Sequence, residues 1–323
     1  MHFILKRTGI ALVTVFLVSV LSFLMFAVLP GDPVSYALGT NATEEQAEAL
    51  REEAGLNMSV PRRYINWLGN FLSGGDIYSF RFRGNSVSAM IQERLPVNLA
   101  LAFLSLFFIL IITIPASVLS ARRPGGAIDR LINIFAAFGV SIPGFFLGII
   151  FIWIFGITLK LFTPGVYIGY RENFFGFLFG LSFPALAIAI PNAAMLVKFI
   201  RAALIRELKS DYARTAFSKG ASFSRVLYHH ALRNALVTSV TVLGMIIAEI
   251  FSGSIVIEQV FTIPGIGRLL VAAIMSRDYP LIQSLVVYIA WTVVFANLLV
   301  DIAIQIIDPR IRLEHSRFRD ARK

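Results

Sequence analysis

The sequence predicts an all-α membrane protein with six transmembrane helices and a helical insert after the first of them. Its 323 residues are 57% hydrophobic and only 15% charged, whereas soluble domains carry about 25% charged residues. Six apolar runs are each about 20 residues or longer, enough to cross a bilayer as a helix. These runs lack the alternation of a membrane β-barrel. The chain contains no cysteine, which excludes disulfides and thiolate metal sites.

Charged residues bound the six predicted spans. In order, the spans cover Thr8–Gly31, Leu95–Ala121, Leu131–Leu159, Asn173–Val197, Asn234–Ile257 and Tyr279–Val300. The first run is longer than the apolar core of about 7–15 residues in a signal peptide, so residues 1–29 are predicted to form a retained helix. The other five spans belong to a core domain over residues 98–307. Proline can bend a helix, and four prolines occur within the runs: Pro115, Pro143, Pro184 and Pro191.

Basic residues are concentrated in four segments: the N-terminus, residues 122–130, residues 198–233 and the C-terminal tail. These segments hold 19 of the 29 Lys and Arg residues but only six acidic ones. Cytoplasmic loops carry an excess of Lys and Arg. The four segments, including tail residues 308–323, are therefore predicted to be cytoplasmic, and residues 30–97, the outer segment, extracytoplasmic. The same bias accounts for the net charge of +10, so no nucleic-acid partner is predicted.

The outer segment is predicted to contain two helices. Thr43 and Gln46 have the spacing of a capping box at the start of a helix over Glu44–Ala54, and Gly55 is suited to end it. Pro61, a favoured first-turn residue, begins the second helix. That helix could lie on the membrane, dock a partner or pack on the protein's own spans, and the last is favoured. Its apolar face contains Tyr64, Trp67, Leu68, Phe71 and Leu72.

The basic loop, residues 201–233, is too charged to cross a bilayer, yet its apolar residues recur at a spacing of about 3.6. Gly220 can adopt the left-handed conformation that ends a helix, and Ser222 is suited to cap the next one. The sequence therefore predicts helix, tight turn and helix, with the apolar stripe packed inward or against a partner. An amphipathic helix on anionic lipid is the alternative. The stripe comprises Tyr212, Ala216, Phe223, Val226 and His230 in one row, and Ala213, Phe217, Leu227 and Ala231 in the other.

A short motif lies at the bend of the basic loop. Arg214-Thr215-Ala216 is followed, after three further residues, by Gly220. This spacing resembles the EAA loop of ABC importer permeases. The downstream half departs from that pattern, because this chain has His230 and Leu232-Arg233 where the family has an apolar residue followed by Leu-Pro.

Further motifs narrow the resemblance. They are LPGDPV after the first predicted span, RRYINWLGNFLSGGDIYSF and ERLPVNLAL before the second, SDYARTAFSKG and HALRNAL in the basic loop, FTIPGIGRL and RDYPLIQ after the fifth, and DPRIR after the sixth. Together they resemble the dipeptide/oligopeptide/nickel permease family, the first of its two permease types, over about residues 1–312. Thr238 and Asn98 differ from the residues that this family often has there.

The resemblance implies a type I ABC importer permease in the cytoplasmic membrane of a bacterium or archaeon. It implies a second, homologous permease subunit in the same bilayer, two cytoplasmic ABC ATPase subunits and an extracytoplasmic substrate-binding protein. Peptides are the expected substrate. Nickel chelates, glutathione or another small solute are the alternatives, as is a secondary transporter, although no inverted repeat is visible.

The resemblance also implies that the basic loop sits in a cleft of an ATPase and couples its closure to the spans. The chain itself has no Gly-Lys pair and hence no Walker A site. ATP and magnesium are therefore expected in the partner ATPases, and no enzymatic activity, cofactor or metal site is expected in this chain. The implied coupling residues are Asp211, Tyr212, Arg214, Thr215, Ala216, Lys219, Gly220, Ala221 and Phe223.

One acidic residue lies midway along the fifth predicted span. A charge there is costly, so Glu249 should face a watery pathway, pair with a basic group or be protonated. An interhelical hydrogen bond is an equally open interpretation. A membrane enzyme would need a cluster of catalytic groups, and only Glu249 stands out. The predicted translocation path comprises Asn192, Met195, Glu249, Ser252 and Ser254.

Overall fold

The structure is a computed structural model that describes residues 2–28, 34, 38, 43–53, 55–75, 77–80 and 85–307. Over these residues the chain is helical except for loops and one antiparallel bridge between Tyr78 and Ser86. The helices are α1 His2–Val28, α2 Glu44–Glu53, α3 Val60–Ser73, α4 Val87–Arg122, α5 Ala127–Ser141, α6 Gly144–Phe151, α7 Phe174–Leu208, α8 Asp211–Ser218, α9 Phe223–Arg225, α10 Leu232–Phe261, α11 Ile266–Met275 and α12 Tyr279–Ile307. Two π-helical segments are π1 Ile152–Thr158, which continues α6, and π2 Val226–Ala231, which joins α9 to α10.

Five helices of the described chain are long and apolar enough to cross a membrane, and up to seven spans result if each of two bent helix pairs counts as one. The predicted number of six lies within this range. The candidate tail over residues 308–323 lies outside the described residues. The all-α prediction is confirmed over the part of the chain that the structure describes.

The third predicted span is not one straight helix. Helices α5 and α6 meet at an angle of 98°. Pro143 lies at the break, and Ile142 before it has φ −93° and ψ 121°, the extended conformation that a following proline favours. Pro184 and Pro191, in contrast, lie inside the continuous helix α7. The predicted span over Leu131–Leu159 is therefore bent at Pro143, one of the four prolines that the sequence indicates as able to bend a helix.

A second break follows the fifth predicted span. The segment Gly253–Phe261 and helix α11 do not form one straight helix. Thr262, between them, has a φ of 61°, and Arg268 donates a hydrogen bond to its carbonyl oxygen at 2.7 Å. No helix is predicted from the sequence over residues 266–275, so α11 is a finding of the structure.

The described residues fall into two compact units, and the first comprises Met1–Leu99 and Thr262–Phe295. Its outer helix α2 begins with the predicted capping box. The Thr43 amide donates to Gln46 Oε1, and the Gln46 amide donates to Thr43 Oγ1, both at 3.3 Å. Gly55 follows with a φ of 65°. The capping prediction is confirmed, because the signals that set these boundaries act within a few residues of each other.

Helix α3 packs on the protein's own first span, as the sequence analysis favoured. Phe23 of α1 lies in an edge-to-face contact with Tyr64, at 5.3 Å between ring centroids, and also contacts Trp67. The Trp67 indole donates a hydrogen bond to Ser284 Oγ of α12 at 3.4 Å. Leu72 is the exception to the predicted apolar face, since it remains 76% exposed.

The second unit comprises Ala100–Phe261 and Ala296–Lys323, and α7 lies at its centre. Helix α7 packs against α5, α6 and α10. Small residues line its buried faces, so neighbouring backbones approach closely. Seven of its fully buried residues are Ala185, Ala187, Ala189, Ala193, Leu196, Ile200 and Leu204. The end of this central helix leads directly into the basic loop.

Candidate functional site

The basic loop has the predicted local structure. Helix α8 ends at Ser218, and Gly220 follows with a φ of 82°. Ser222 Oγ accepts a hydrogen bond from the Arg225 amide at 3.4 Å, as expected of the N-cap of α9. The helix, tight turn and helix are therefore confirmed.

The second helix of the loop is not a separate element. Helix α9, π2 and α10 follow one another without interruption from Phe223 to Phe261. The candidate span in this region begins at Phe223 rather than at the predicted Asn234. As a result, the bend at Gly220 lies directly at the start of a long helix that can cross the membrane.

The loop packs inward through one row of the apolar stripe more than the other. Ala213, Leu227 and Ala231 are fully buried, together with Val226 from the other row. Tyr212 is 36% exposed and otherwise covered by the protein, and Tyr228 on π2 is 44% exposed. Part of the stripe therefore packs inward, as one of the two predicted alternatives has it, and the bend turns the remaining residues of each row outwards.

Two aromatic side chains face each other across the bend, and we call them the bend patch: Phe217 and Phe223. Their rings are nearly parallel, at 6.4 Å between centroids and 10° between planes. They are 38% and 41% exposed. A Cβ on Gly220 would meet nothing within 4 Å. The bend is therefore exposed, with open space at Gly220, and presents an aromatic surface.

Charged side chains surround the bend patch. Arg214, Lys219 and Arg225 are all exposed. Arg214 lies 3.7 Å from Asp211, whose side chain is fully exposed, so this pair adds little stability. Thr215 is exposed, while Ala216 and Ala221 are half-buried. The surface around the bend is thus predominantly basic.

Hydrogen bonds attach α8 to the end of α7. The Tyr212 hydroxyl donates to Glu207 Oε2 at 2.7 Å, and Ser210 Oγ donates to the Glu207 carbonyl oxygen at 2.6 Å. Burial raises the pKa of Tyr212, and the hydrogen bond to Glu207 raises it further. The phenol therefore stays protonated and keeps its role as a donor.

The predicted path residues have mixed environments. Asn192 and Ser254 are buried, and each donates to a carbonyl of its own helix, Ile188 at 3.0 Å and Phe251 at 3.3 Å. These bonds give each side chain one partner within its own helix. Glu249, on α10, is exposed in this chain.

The structure gives less information on the other two predicted path residues. Met195 is half-buried, and the side chain of Ser252 lies outside the described residues. The assignment of all five path residues stays a prediction.

Sequence reasoning missed three acidic residues that the structure buries, Asp129, Glu258 and Asp278. Glu258, on α10 beyond the predicted span end, is fully buried. Asp129 is buried in an ion pair with the half-buried Arg201, although in the sequence both entered only the charge balance. One signal was available, because Asp129 is the only acid in the basic segment Arg122–Arg130. Across the described residues, no group of three or more His, Cys, Asp or Glu is placed to hold a metal ion.

The chain belongs to the family of binding-protein-dependent transport system inner membrane components, whose model matches residues 113–313. The model of the N-terminal part of such membrane components matches residues 1–102. This family has the type I importer permease fold, so the fold that the resemblance implied is confirmed. The chain is thus a multi-pass membrane permease subunit and not itself an ATPase.

Individual relatives match nearly the whole chain. It is 36% identical to a probable peptide ABC transporter permease, y4tP, of Sinorhizobium fredii, over 96% of this chain and 99% of the relative. It is 38% identical to the oligopeptide transport permease AppB of Bacillus subtilis, over 96% and 98%. The dipeptide transport permease DppB of Lactococcus lactis is 32% identical, over 96% and 99%.

Proposed function

We propose that this chain is the permease subunit of an ATP-driven ABC importer that carries peptides, and that the bend at Gly220 couples it to an ATPase. The bend carries the coupling proposal, because it projects into open space directly at the start of a candidate span. The names of the relatives support the substrate class, since they describe peptide, oligopeptide and dipeptide transport. Nickel chelates, glutathione and secondary transport have no such support.

The bend patch favours a protein partner over a lipid surface. Exposed aromatic side chains and arginine are enriched in protein interfaces. A helix that lies on lipid needs a continuous apolar face, whereas the apolar residue Ala213 of α8 is buried in the protein itself. The exposed phenylalanines flank a turn instead of forming a helix face. A cleft on a partner subunit suits such a protruding turn.

The assembly follows from the family. A binding-protein-dependent system includes a substrate-binding protein and ATPase subunits, and we infer two ATPases below and a second, homologous permease beside this chain. ATP and magnesium belong to the ATPases. The excess of Lys and Arg supports a cytoplasmic position for both termini and the basic loop, with the outer segment outside. The membrane is then the cytoplasmic membrane of a bacterium or archaeon.

Substitution of Gly220 tests the coupling role. A β-branched residue at φ 82° is strained by about 1–2 kcal/mol or more, and its bulk lies in the proposed contact. Gly220→Val should leave the permease pair in the membrane but weaken ATPase binding or uncouple hydrolysis from uptake. The measurements are pull-down of the ATPases, and ATPase activity together with peptide uptake in reconstituted vesicles.

Gly165→Val is the matched control. Gly165 has a φ of 81°, and a Cβ there also meets nothing within 4 Å, so the backbone strain is the same. It lies between π1 and α7, outside the basic loop. This variant should bind ATPases like the wild type. If the two variants behave alike in all three measurements, the bend does not couple transport to hydrolysis, and the lipid-surface alternative stands.

A further inference from the structure

A buried ion pair joins α5 to the last turns of α7. Arg201 Nε lies 2.6 Å from Asp129 Oδ1, and Arg201 Nη2 lies 2.7 Å from Oδ2. The Asp129 side chain is 4% exposed and that of Arg201 is 24% exposed. Two parallel bonds of this kind fix the orientation of both side chains as well as their distance.

The Asp129 carboxylate also accepts hydrogen bonds from neighbouring segments. The Gly125 amide, in the turn between α4 and α5, donates to Oδ2 at 2.7 Å. Asn133 of α5 donates to Oδ1 at 2.8 Å, and the Ser120 hydroxyl of α4 donates to the same oxygen. We call Ser120, Asp129, Asn133 and Arg201 the clasp. Its carboxylate is fully satisfied, which a buried charge requires.

Helix α4 is attached to α7 along a row of hydroxyls that leads to the clasp. Thr113 and Ser117 are fully buried, and they donate to the carbonyl oxygens of Ala193 and Val197 at 3.4 Å each. Ser120, one turn further along α4, completes the row and accepts from the guanidinium of the clasp at 2.9 Å. The cytoplasmic half of α4, in the proposed topology, is thus bonded to α7 at successive turns.

Helix α5 also approaches α7 closely above the clasp. A Cβ built on Gly139 would lie only 2.7 Å from the Cβ of Ala194. Ala194 precedes Arg201 by about two helical turns. Helix α5 is therefore held to α7 at two levels, by near-backbone contact and by the ion pair.

We propose that the clasp positions the end of α7, so that a displacement of α8 moves α4, α5 and α7 together. Without it, the last turns of α7 could rotate or bend and absorb the motion. Leu208, the last residue of α7, is about 10 Å of helix beyond Arg201, and Tyr212 of α8 is bonded to Glu207 in that stretch. The clasp touches neither solute nor nucleotide, so Asp129 and Arg201 are positioning residues. This proposal rests on the coupling role proposed for the bend.

The test removes both charges of the clasp at once, because removal of one would leave the other buried without its counter-charge. Asp129→Asn/Arg201→Gln should still assemble with the ATPases. The ATP hydrolysed per solute taken up should rise by about threefold or more, and stimulation of the ATPase by the loaded binding protein should fall. The matched control is Glu44→Gln/Arg51→Gln, which removes an ion pair of 3.1 Å in α2 and should leave this ratio unchanged.

A second variant keeps the test decisive if the double variant does not assemble. Arg201→Lys retains the charge but loses the two-point bond, so its ratio should rise by less than that of the double variant. A wild-type ratio in the double variant, or in Arg201→Lys where the double variant fails to assemble, overturns the clasp proposal. Gly220→Val separates the two proposals: if it uncouples transport while the clasp variants do not, only the clasp is refuted. If Gly220→Val behaves like the wild type, the coupling role itself fails.

Discussion

Two acidic residues of α10 have opposite environments. Glu249 is exposed on the surface of this chain, whereas Glu258 is fully buried. A carboxylate in the middle of a bilayer costs about 2.5–3.5 kcal/mol on insertion scales. An exposed one can escape that cost if it faces water or a partner subunit. A buried one depends on bonds within its own chain.

The exposure of Glu249 leads to a test of its role in transport. Glu249→Gln keeps the shape of the side chain and removes its charge. We expect the rate of solute uptake to change several-fold, as for a group that interacts directly with the transported species, while assembly with the ATPases stays intact. The measurements are uptake in reconstituted vesicles and the thermal midpoint of the detergent-solubilised complex.

Glu258→Gln is the control for a structural carboxylate. Because Glu258 is fully buried, replacement of its carboxyl group should disturb bonds within the chain and lower the thermal midpoint and the yield of assembled complex. An unchanged uptake rate in Glu249→Gln, together with a lower thermal midpoint, would assign Glu249 a structural role as well. It would then leave the predicted path.

At the scale of elements, the sequence predicted what neighbouring residues determine. The Thr43–Gln46 capping box, the turn at Gly220 and the cap at Ser222 all depend on residues within one helical turn. Prolines show the limit of this reasoning. Pro143 lies at a break in a span, but Pro191 lies inside the continuous helix α7. Packing therefore determines at which proline the chain bends. A window of hydropathy does not contain that information.

The candidate site shows the same limit. The bend was visible in the sequence because Gly220 and its flanking motif are contiguous. The clasp was not, because Asp129 and Arg201 lie on different helices and neither belongs to a local motif. In the sequence, Asp129 stands out only as a single acidic residue in a basic segment. Only the packing of α5 on α7 identifies its partner.

The close packing of α5 on α7 requires a residue without a side chain at position 139, and this requirement can be tested. A methyl group there would lie 2.7 Å from the Cβ of Ala194, well inside ordinary contact distance, so one helix must shift. Gly139→Ala should destabilise the protein by about 1–3 kcal/mol, as overpacking does. Gly139→Ala/Ala194→Gly restores the space and should recover part of this loss. The measurement is the thermal midpoint of the purified permease.

Gly180→Ala is the control for the change in helix propensity. Gly180 lies in α7, and a Cβ there meets nothing within 4 Å. Alanine should therefore leave stability unchanged or raise it by up to about 1 kcal/mol. Equal effects of Gly139→Ala and Gly180→Ala would show that the close approach of α5 to α7 does not contribute to stability.

At the scale of the whole molecule, charge and hydropathy together imply one orientation in the membrane. The basic loop carries most of its charge on exposed side chains such as Arg214, Lys219 and Arg225. Each Lys or Arg costs about 2.5–3.5 kcal/mol at the bilayer centre on insertion scales. The loop is therefore not expected to enter the bilayer, and because cytoplasmic loops carry an excess of Lys and Arg, we expect it in the cytoplasm and the outer segment on the other side.

Single cysteines can test this orientation directly, because the chain has no cysteine of its own. Ser218, at the end of α8, and Ser59, before α3, are both exposed, so a thiol at either position is accessible from its own side of the membrane. With a membrane-impermeant maleimide added to spheroplasts, Ser59→Cys should be labelled at once. Ser218→Cys should be labelled only after the membrane is permeabilised. Labelling of Ser218→Cys in sealed spheroplasts that exclude the reagent from a cytoplasmic marker protein would place the basic loop outside. The bend could then not reach an ATPase, and the coupling role of Gly220 would fail with the orientation.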